Sequence, residues 1–166
     1  MSVEEHRKAS PKQVDCWIIT VSDTRGSKED ISGDMIVEKL EAAGHCIKGR
    51  NWVKDEPEDI RKALDEVINA RAIFLTGGTG LTKRDITWQV VEAYCDEPLP
   101  AFTILFTQLS YNQVGSASVL SRATAGIKRN RSQLIVALPG SSKACALAVD
   151  DILLPELAHI VGHLDK

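Results

Sequence analysis

The chain is poor in aromatic residues, at 5% of 166, and it lacks any apolar run approaching the about 18 residues of a membrane span. Its opening stretch, Met1 to Gln13, is polar throughout and has no apolar core of the kind a secretory signal carries. A cytoplasmic protein with no membrane partner is the expectation. Charge of one sign is also lacking. A formal net charge of -3 gives no global attraction for nucleic acid or an anionic membrane, so neither is expected as a partner, and any anionic ligand must be held by local cations. The four cysteines, Cys16, Cys46, Cys95 and Cys145, lie far apart and form no Cys-x-x-Cys pair. Most sit in apolar runs, where a reduced thiol behaves as a small hydrophobe, so they read as core residues.

Several catalytic signatures are missing. There is no Gly-x-Ser-x-Gly elbow, and no Ser/His/Asp set can be assembled. Cys46 has His45 beside it, but the two fall in an expected strand without an electropositive loop. His159 and His163 are spaced i, i+4, yet Ile160-Val161-Gly162 separates them. The glutamate of a metalloprotease helix is therefore absent, which disfavours a metal role for the pair.

What remains is ordinary globular material, 43% hydrophobic and 26% charged. Its length suits one substantial core and is short for two, so a single domain over residues 14–166 is expected, behind a flexible N-terminal arm at 1–13. Val14 to Val21 reads as a buried first strand, and Ser32-Gly33-Asp34 as the entry to a helix carrying Ile36, Leu40 and Ala43. A second strand is expected over His45 to Val53. A helix follows from Pro57 to about Ala70, with Ile60, Leu64, Val67 and Ile68 inward. Ala72 to Leu75 reads as a strand, and a helix begins near Ile86. Phe102, Leu105, Phe106 and Leu109 mark a long helix after Pro100, and Ser116 to Ala125 a short one ending at Gly126. Gln133 to Leu138 is the last strand, and a closing helix starts near Ala144 with Pro155 bending or restarting it. Alternating strands and helices without repeats predict a three-layer α/β fold, a mainly parallel sheet flanked by helices.

The densest chemistry follows the third strand, in Leu75-Thr76-Gly77-Gly78-Thr79-Gly80-Leu81-Thr82-Lys83-Arg84-Asp85-Ile86-Thr87. Glycines let a ligand approach the backbone, and successive N–H groups in such a turn attract anions. The loop is not a P-loop, because Leu81 follows Gly80, and Lys83 stands where a dinucleotide fingerprint needs its third glycine. A plain glycine turn would not need Lys83, Arg84 and Asp85 beside it.

In open parallel sheets ligands bind beyond the carboxyl ends of the strands. Three such ends carry polar loops: Ser22-Asp23-Thr24-Arg25, Gly77 to Gly80, and Pro139-Gly140-Ser141-Ser142-Lys143. Brought together they would supply two glycine turns, several hydroxyls, the cations Arg25, Lys83, Arg84 and Lys143, and the carboxylates Asp23 and Asp85. That set suits a phosphorylated ligand, with a carboxylate left to hold Mg2+. Asp85 would also serve as the cap of the helix after it, and Asp55, before Pro57, suits any helix start. Arg122 would reach either a phosphate or a subunit interface.

Four motifs in order, Thr20-Val21-Ser22-Asp23, Thr76 to Thr87, Ser121-Arg122-Ala123-x-Ala125-Gly126 and Leu138-Pro139-Gly140-Ser141-x-Lys143-Ala144, resemble the MoaB/MogA-type molybdopterin-binding family of molybdenum cofactor biosynthesis. Ser32-Gly33 and the run Gly140-Ser141-Ser142-Lys143-Ala144-Cys145 lean toward the MoaB branch. The resemblance covers Val14 onward. It implies an α/β fold assembling into homo-trimers or homo-hexamers, and adenylylation of molybdopterin by ATP with Mg2+, releasing pyrophosphate. It further implies that Asp85 and Asp55 are the catalytic acids, with Asp85 at the metal. Gly77, Gly78, Thr79, Gly80, Ser22, Asp23, Pro139, Gly140, Ser141 and Lys143 would line the phosphate and pterin region, and a metal-insertion protein would act downstream. The chain departs from the family at Lys83 and Trp88, where proline is common. Alternatives are a catalytically silent oligomeric pterin carrier of the same pathway and a related molybdate-insertion or nucleotide-hydrolysing domain sharing the glycine loop, the latter usually part of a longer chain.

Overall fold

The computed structural model describes residues 2–23 and 29–166, without the side chains of Val3 and His6. Its centre is a six-stranded sheet ordered β2-β1-β3-β6-β5-β4. The strands are β1 (Asp15–Val21), β2 (Cys46–Val53), β3 (Ala72–Thr76), β4 (Glu97–Pro98), β5 (Thr124–Lys128) and β6 (Gln133–Leu138). The first four in spatial order run parallel, whereas at one edge β5 pairs antiparallel with β6 and the short β4 antiparallel with β5. The sheet is therefore mixed.

β3 and β6 are buried at every position, as strands covered on both faces must be, which is why their sequences are nearly continuous apolar runs. Alternation across the pleat divides the interior in two. Ile18, Phe74 and Val136 point into a core shared with α2 (Ile31–Ala42), α5 (Pro100–Val114), α6 (Ser142–Ala148) and α7 (Leu154–Leu164). Ile19, Ile73, Leu75 and Ile135 point the other way, into a core closed by α3 (Pro57–Glu66) and α4 (Thr87–Tyr94). These are the three layers expected.

The structure differs from expectation in several elements. The helix expected over Ser116 to Ala125 is a 3-10 segment, Gly115–Leu120, followed by β5. Gly126 sits in β5 because a Cβ there would come within 2.7 Å of Cys95 Cβ, so a side chain would push the strand off α4. α3 ends at Glu66, not near Ala70, and Ile68 beyond it is 81% exposed while Val67 is buried. α2 starts at Ile31, one residue earlier than Ser32-Gly33-Asp34 suggested, because the Asp30 side chain accepts the N–H of Gly33 at 2.9 Å. Pro155, by contrast, does restart the closing helix as expected: α6 gives way to a π-helical turn, Val149–Leu153, and the proline stands in the first turn of α7.

Within residues 1–13 the chain forms α1 (Val3–Lys8), opened by a capping box between Ser2 and Glu5. Arg7 pairs with Glu156 of α7, and Ser10 and Pro11 lie against Gly162 closely enough that a Cβ there would meet Pro11 Cδ at 3.2 Å. All four cysteines are free thiols, and burial pushes Cys16 and Cys95 up to about 12 and Cys145 up to about 11, consistent with inert packing.

Candidate active site

Register places the polar loops side by side. Thr20 of β1 pairs with Thr76 of β3, and Thr76 with Leu138 of β6, so Ser22, Gly77 and Pro139 leave the sheet together. Val53 of β2 pairs with Val21, which brings the Lys54–Asp55 turn to the same edge. The chain goes outward from β1 to β2 and then returns across β1 to β3, and the reversal opens a crevice at these carboxyl ends.

Gly77 and Gly78 have φ of 103° and 70°, conformations side chains resist. A Cβ on Gly77 would lie 2.2 Å from the Val21 carbonyl, and one on Gly140 would meet Gly77 Cα at 3.6 Å, so the two glycine turns touch. The Gly77 N–H donates to Leu138 O at 3.0 Å. The Ser32 hydroxyl donates to Gly140 O at 2.9 Å and the Thr76 hydroxyl to Pro139 O at 3.0 Å, fixing the second loop. Between the loops is a cavity of about 240 Å³ lined by Thr20, Ser22, Asp30, Ser32, Thr76, Gly77 and Gly140.

Asp55 stands against Gly78 and Asp85 against Gly80. A Cβ on Gly78 would be 3.0 Å from Asp55 Oδ1, and one on Gly80 would be 2.8 Å from Asp85 Oδ2. Burial, then the charge of Asp85, then Glu56, push the Asp55 carboxyl above its ordinary range. Asp85 does not cap α4: its Oδ2 turns back to accept the N–H and hydroxyl of Thr82 at 2.9 and 2.6 Å, and Ile86 stands at the cap without a side-chain bond. Thr87 Oγ1 is buried without a partner among the described residues and lies on the same face of Gly78 as Asp55 Oδ1. Hard oxygen donors beside an orphaned hydroxyl fit Mg2+, which commonly takes one or two carboxylates and completes its shell with water and substrate phosphate. Among the described residues no group of three or more His, Cys, Asp or Glu is arranged for a metal.

Other residues singled out in the sequence take different places. Asp23 accepts the Asp55 N–H at 3.0 Å and pairs with Arg84, so it ties the β1 and β2 loops to the glycine loop. Arg25 lies outside the described residues. Lys83 is exposed on the loop, and Ser141 stands exposed at the start of α6. Lys143 lines a separate cleft with Gln113, Asp150 and Asp151 and is not among the lining residues of the glycine cavity.

Arg122, ambiguous in the sequence, holds the loop from below. Its Nε donates to Gly80 O at 2.9 Å and its Nη2 to Asp85 O at 3.1 Å, while its own N–H donates to Thr79 O at 2.8 Å. The guanidinium stacks 4.4 Å from the Trp88 ring centroid. Trp88 thus acts as a platform for the arginine that fixes the carbonyls around Asp85.

Asp30 went unnoticed in the sequence, where it looked like one of several loop acids. It is 2% exposed and accepts from Thr20, Gly33, Trp52 and Arg50, the last at 2.9 Å. Its capping of α2 through Gly33 is local, but the other three partners come from β1 and β2, which no local pattern signals.

A family model described as "Probable molybdopterin binding domain" matches residues 17–159. The chain is 40% identical over its whole length to molybdenum cofactor biosynthesis protein B of Bacillus subtilis, covering 99% of that protein. It is also 40% identical to a molybdopterin adenylyltransferase of Pyrococcus furiosus, with 98% of each chain covered. A crystal structure of a molybdenum cofactor biosynthesis protein B superposes with a TM-score of 0.88 at 39% identity, covering 94% of this chain and 98% of that one. With its glycine loops and acid pair arranged on this fold, the chain belongs to the molybdopterin-binding domain family of molybdenum cofactor biosynthesis.

Proposed function

We propose that the protein adenylylates molybdopterin with ATP, and the observation that carries this is the placing of Asp55 against Gly78 and of Asp85 against Gly80, with no room for a Cβ on either glycine and with the charge of Asp85 felt at Asp55. A terminal phosphate oxygen of molybdopterin is the nucleophile and attacks the α-phosphorus of ATP. A new P–O–P bond forms, the bond from the α-phosphorus to the α,β-bridging oxygen breaks, and its electron pair leaves with pyrophosphate. No protein nucleophile is needed, in keeping with the absent triad.

Asp55 and Asp85 would hold Mg2+, which when bound neutralises phosphate charge. The two glycine loops admit phosphate oxygens to the backbone, and the cations Arg84 and Lys83 at the rim favour an anionic ligand. Arg122 and Trp88 keep the Gly80 and Asp85 carbonyls fixed, so the acid side chain is positioned before substrate arrives. The hydroxyl-lined cavity at Thr20, Ser22, Ser32 and Thr76 offers hydrogen-bonding partners to the polar part of the pterin.

The chain acts as a homo-trimer or homo-hexamer in the cytoplasm and passes its product to a metal-insertion protein. The first part rests on exposed Ile104, Leu105, Tyr111, Val114, Val119 and Leu120 around α5, a contiguous stretch of sequence rich in unburied apolar surface. Among the described residues no helix is long and apolar enough to cross a membrane.

Pyrophosphate release from ATP, dependent on both molybdopterin and Mg2+, is the expected result with purified protein. Tight pterin binding with no pyrophosphate released would favour the silent carrier.

A further inference from the structure

We infer that the cavity between the glycine loops is a proton-accepting pocket, set by Asp30, that takes the N–H-bearing edge of the pterin ring and turns phosphate away. The assignment rests on molybdopterin being the substrate proposed above. Three hydroxyls in the cavity wall, those of Thr20, Ser32 and Thr76, have their protons committed within the protein. Thr20 donates to Asp30 Oδ2, Ser32 to Gly140 O at 2.9 Å and Thr76 to Pro139 O at 3.0 Å. A hydroxyl has one proton and two lone pairs, so once the proton is spent it offers a ligand only an acceptor. The Cys145 thiol donates to the same Pro139 carbonyl at 2.9 Å, and the two lone pairs of that oxygen accommodate both donors. Backbone donors bordering the cavity are spent as well: the Ser22 N–H on Val53 O at 2.9 Å and the Gly77 N–H on Leu138 O at 3.0 Å.

Asp30 fixes the sense of Thr20. It is 2% exposed, and besides Thr20 its Oδ2 accepts from Arg50 Nη2 at 2.9 Å and Trp52 Nε1 at 3.1 Å, while Oδ1 accepts the Gly33 N–H at 2.9 Å. A carboxylate paired with a guanidinium has no proton to give, so Thr20 must be the donor. Arg50 is held in turn by Asp34 at 2.7 Å and by the Trp52 ring, whose centroid lies 4.9 Å from the guanidinium carbon. Among the described residues Asp30 is the only charged group in the cavity wall.

A phosphate oxygen is a charged acceptor. Here it would face a carboxylate and the already committed hydroxyls, and burying it without donors is costly. The cations Lys83 and Arg84 belong instead to the loop that continues from Gly78 and Gly80. The pyrimidine ring of a pterin has its N3–H beside its 2-amino group, a run of N–H donors on one edge that matches the acceptors of Thr20, Ser32 and Thr76. Adenine offers fewer, on an amino group flanked by ring nitrogens that accept. Molybdopterin carries its phosphate at the end opposite that edge. With the ring in the cavity, the phosphate extends past Gly77 toward Gly78, Gly80 and the acids beside them. Asp30 is thus a positioning residue, acting through Thr20 to set the direction in which the substrate lies.

Fluorescence titration with pterin and lumazine, without ATP or turnover, tests this. Lumazine has a carbonyl in place of the 2-amino group and so sets an acceptor against acceptors. Wild type is expected to bind pterin at least about tenfold more tightly than lumazine. Asp30→Asn would leave Arg50 without its buried partner, whereas Thr20→Val keeps the β-branched shape and leaves Asp30 bonded to Gly33, Arg50 and Trp52. Thr20→Val should weaken pterin about tenfold and lumazine less, and Thr20→Ser should keep the preference. Saturating pyrophosphate should not displace pterin. Equal affinity for pterin and lumazine, a preference that survives Thr20→Val, displacement of pterin by pyrophosphate, or Thr20-dependent binding of adenosine but not of pterin would each overturn the pocket. Pyrophosphate release from ATP and molybdopterin, measured in parallel, separates the failures. Release without a pterin preference sinks the pocket alone, and a preference without release sinks the reaction alone.

Discussion

Burial, then Asp85, then Glu56, hold the Asp55 carboxyl above the ordinary range, so at neutral pH its ionised form opposes folding. A raised acid contributes stability that is present below its unfolded pKa and lost as pH rises through the folded one. Asp55→Asn removes that opposition, and above the carboxylate range it should match or exceed wild-type stability, by up to about 1 kcal/mol in urea unfolding. A clear loss of stability would show that Asp55 is instead a favourable contact. Arg122 is the opposite case. Arg122→Ala strips donors from the Gly80 and Asp85 carbonyls and the cation from Trp88, and should cost about 2 kcal/mol in unfolding while also lowering turnover. Arg122→Lys keeps the charge without the fork and should recover only part of both.

At the scale of elements, legibility in the sequence followed burial. β3 and β6 could be read because strands covered on both faces need continuous apolar sequence. β5 could not, because Thr124-Ala125-Gly126 is built small to lie against Cys95 and so resembles the end of a helix. β4 is two residues long and contains Pro98, allowed there by its edge position. The glycine loop and Asp85 were visible as a local motif, whereas Asp30, Arg122 and the Trp88 platform depend on partners far away in sequence. One loop junction makes a pH-dependent prediction. His45, between α2 and β2, accepts the Val14 N–H at 3.2 Å through Nδ1, and burial lowers its pKa. The unfolded chain therefore binds that proton more readily, so its contribution to stability is present above about 6.5 and lost as pH falls through the lower folded value. His45→Asn keeps an acceptor near Nδ1 without the charge, and should flatten the fall in Tm between neutral and mildly acidic pH. An unchanged slope would assign the fall to other groups.

The molecule as a whole is a doubly covered sheet whose loops converge at one edge, with an apolar surface left open around α5. Sedimentation should give a trimer or hexamer at micromolar concentration, and Ile104→Glu should shift it toward smaller species. A wild-type monomer would contradict the assembly without touching the active-site reading. The fold itself needs only the register of β1, β3 and β6 to bring the glycine turns together, but the proposed chemistry calls for both acids. The decisive measurement is pyrophosphate release from ATP, molybdopterin and Mg2+ by wild type, Asp55→Asn and Asp85→Asn, alongside molybdopterin binding by each. Magnesium-dependent release by wild type, reduced at least about a hundredfold in either variant with pterin binding retained, is the predicted result. Release that persists at the wild-type rate in both variants would contradict the account.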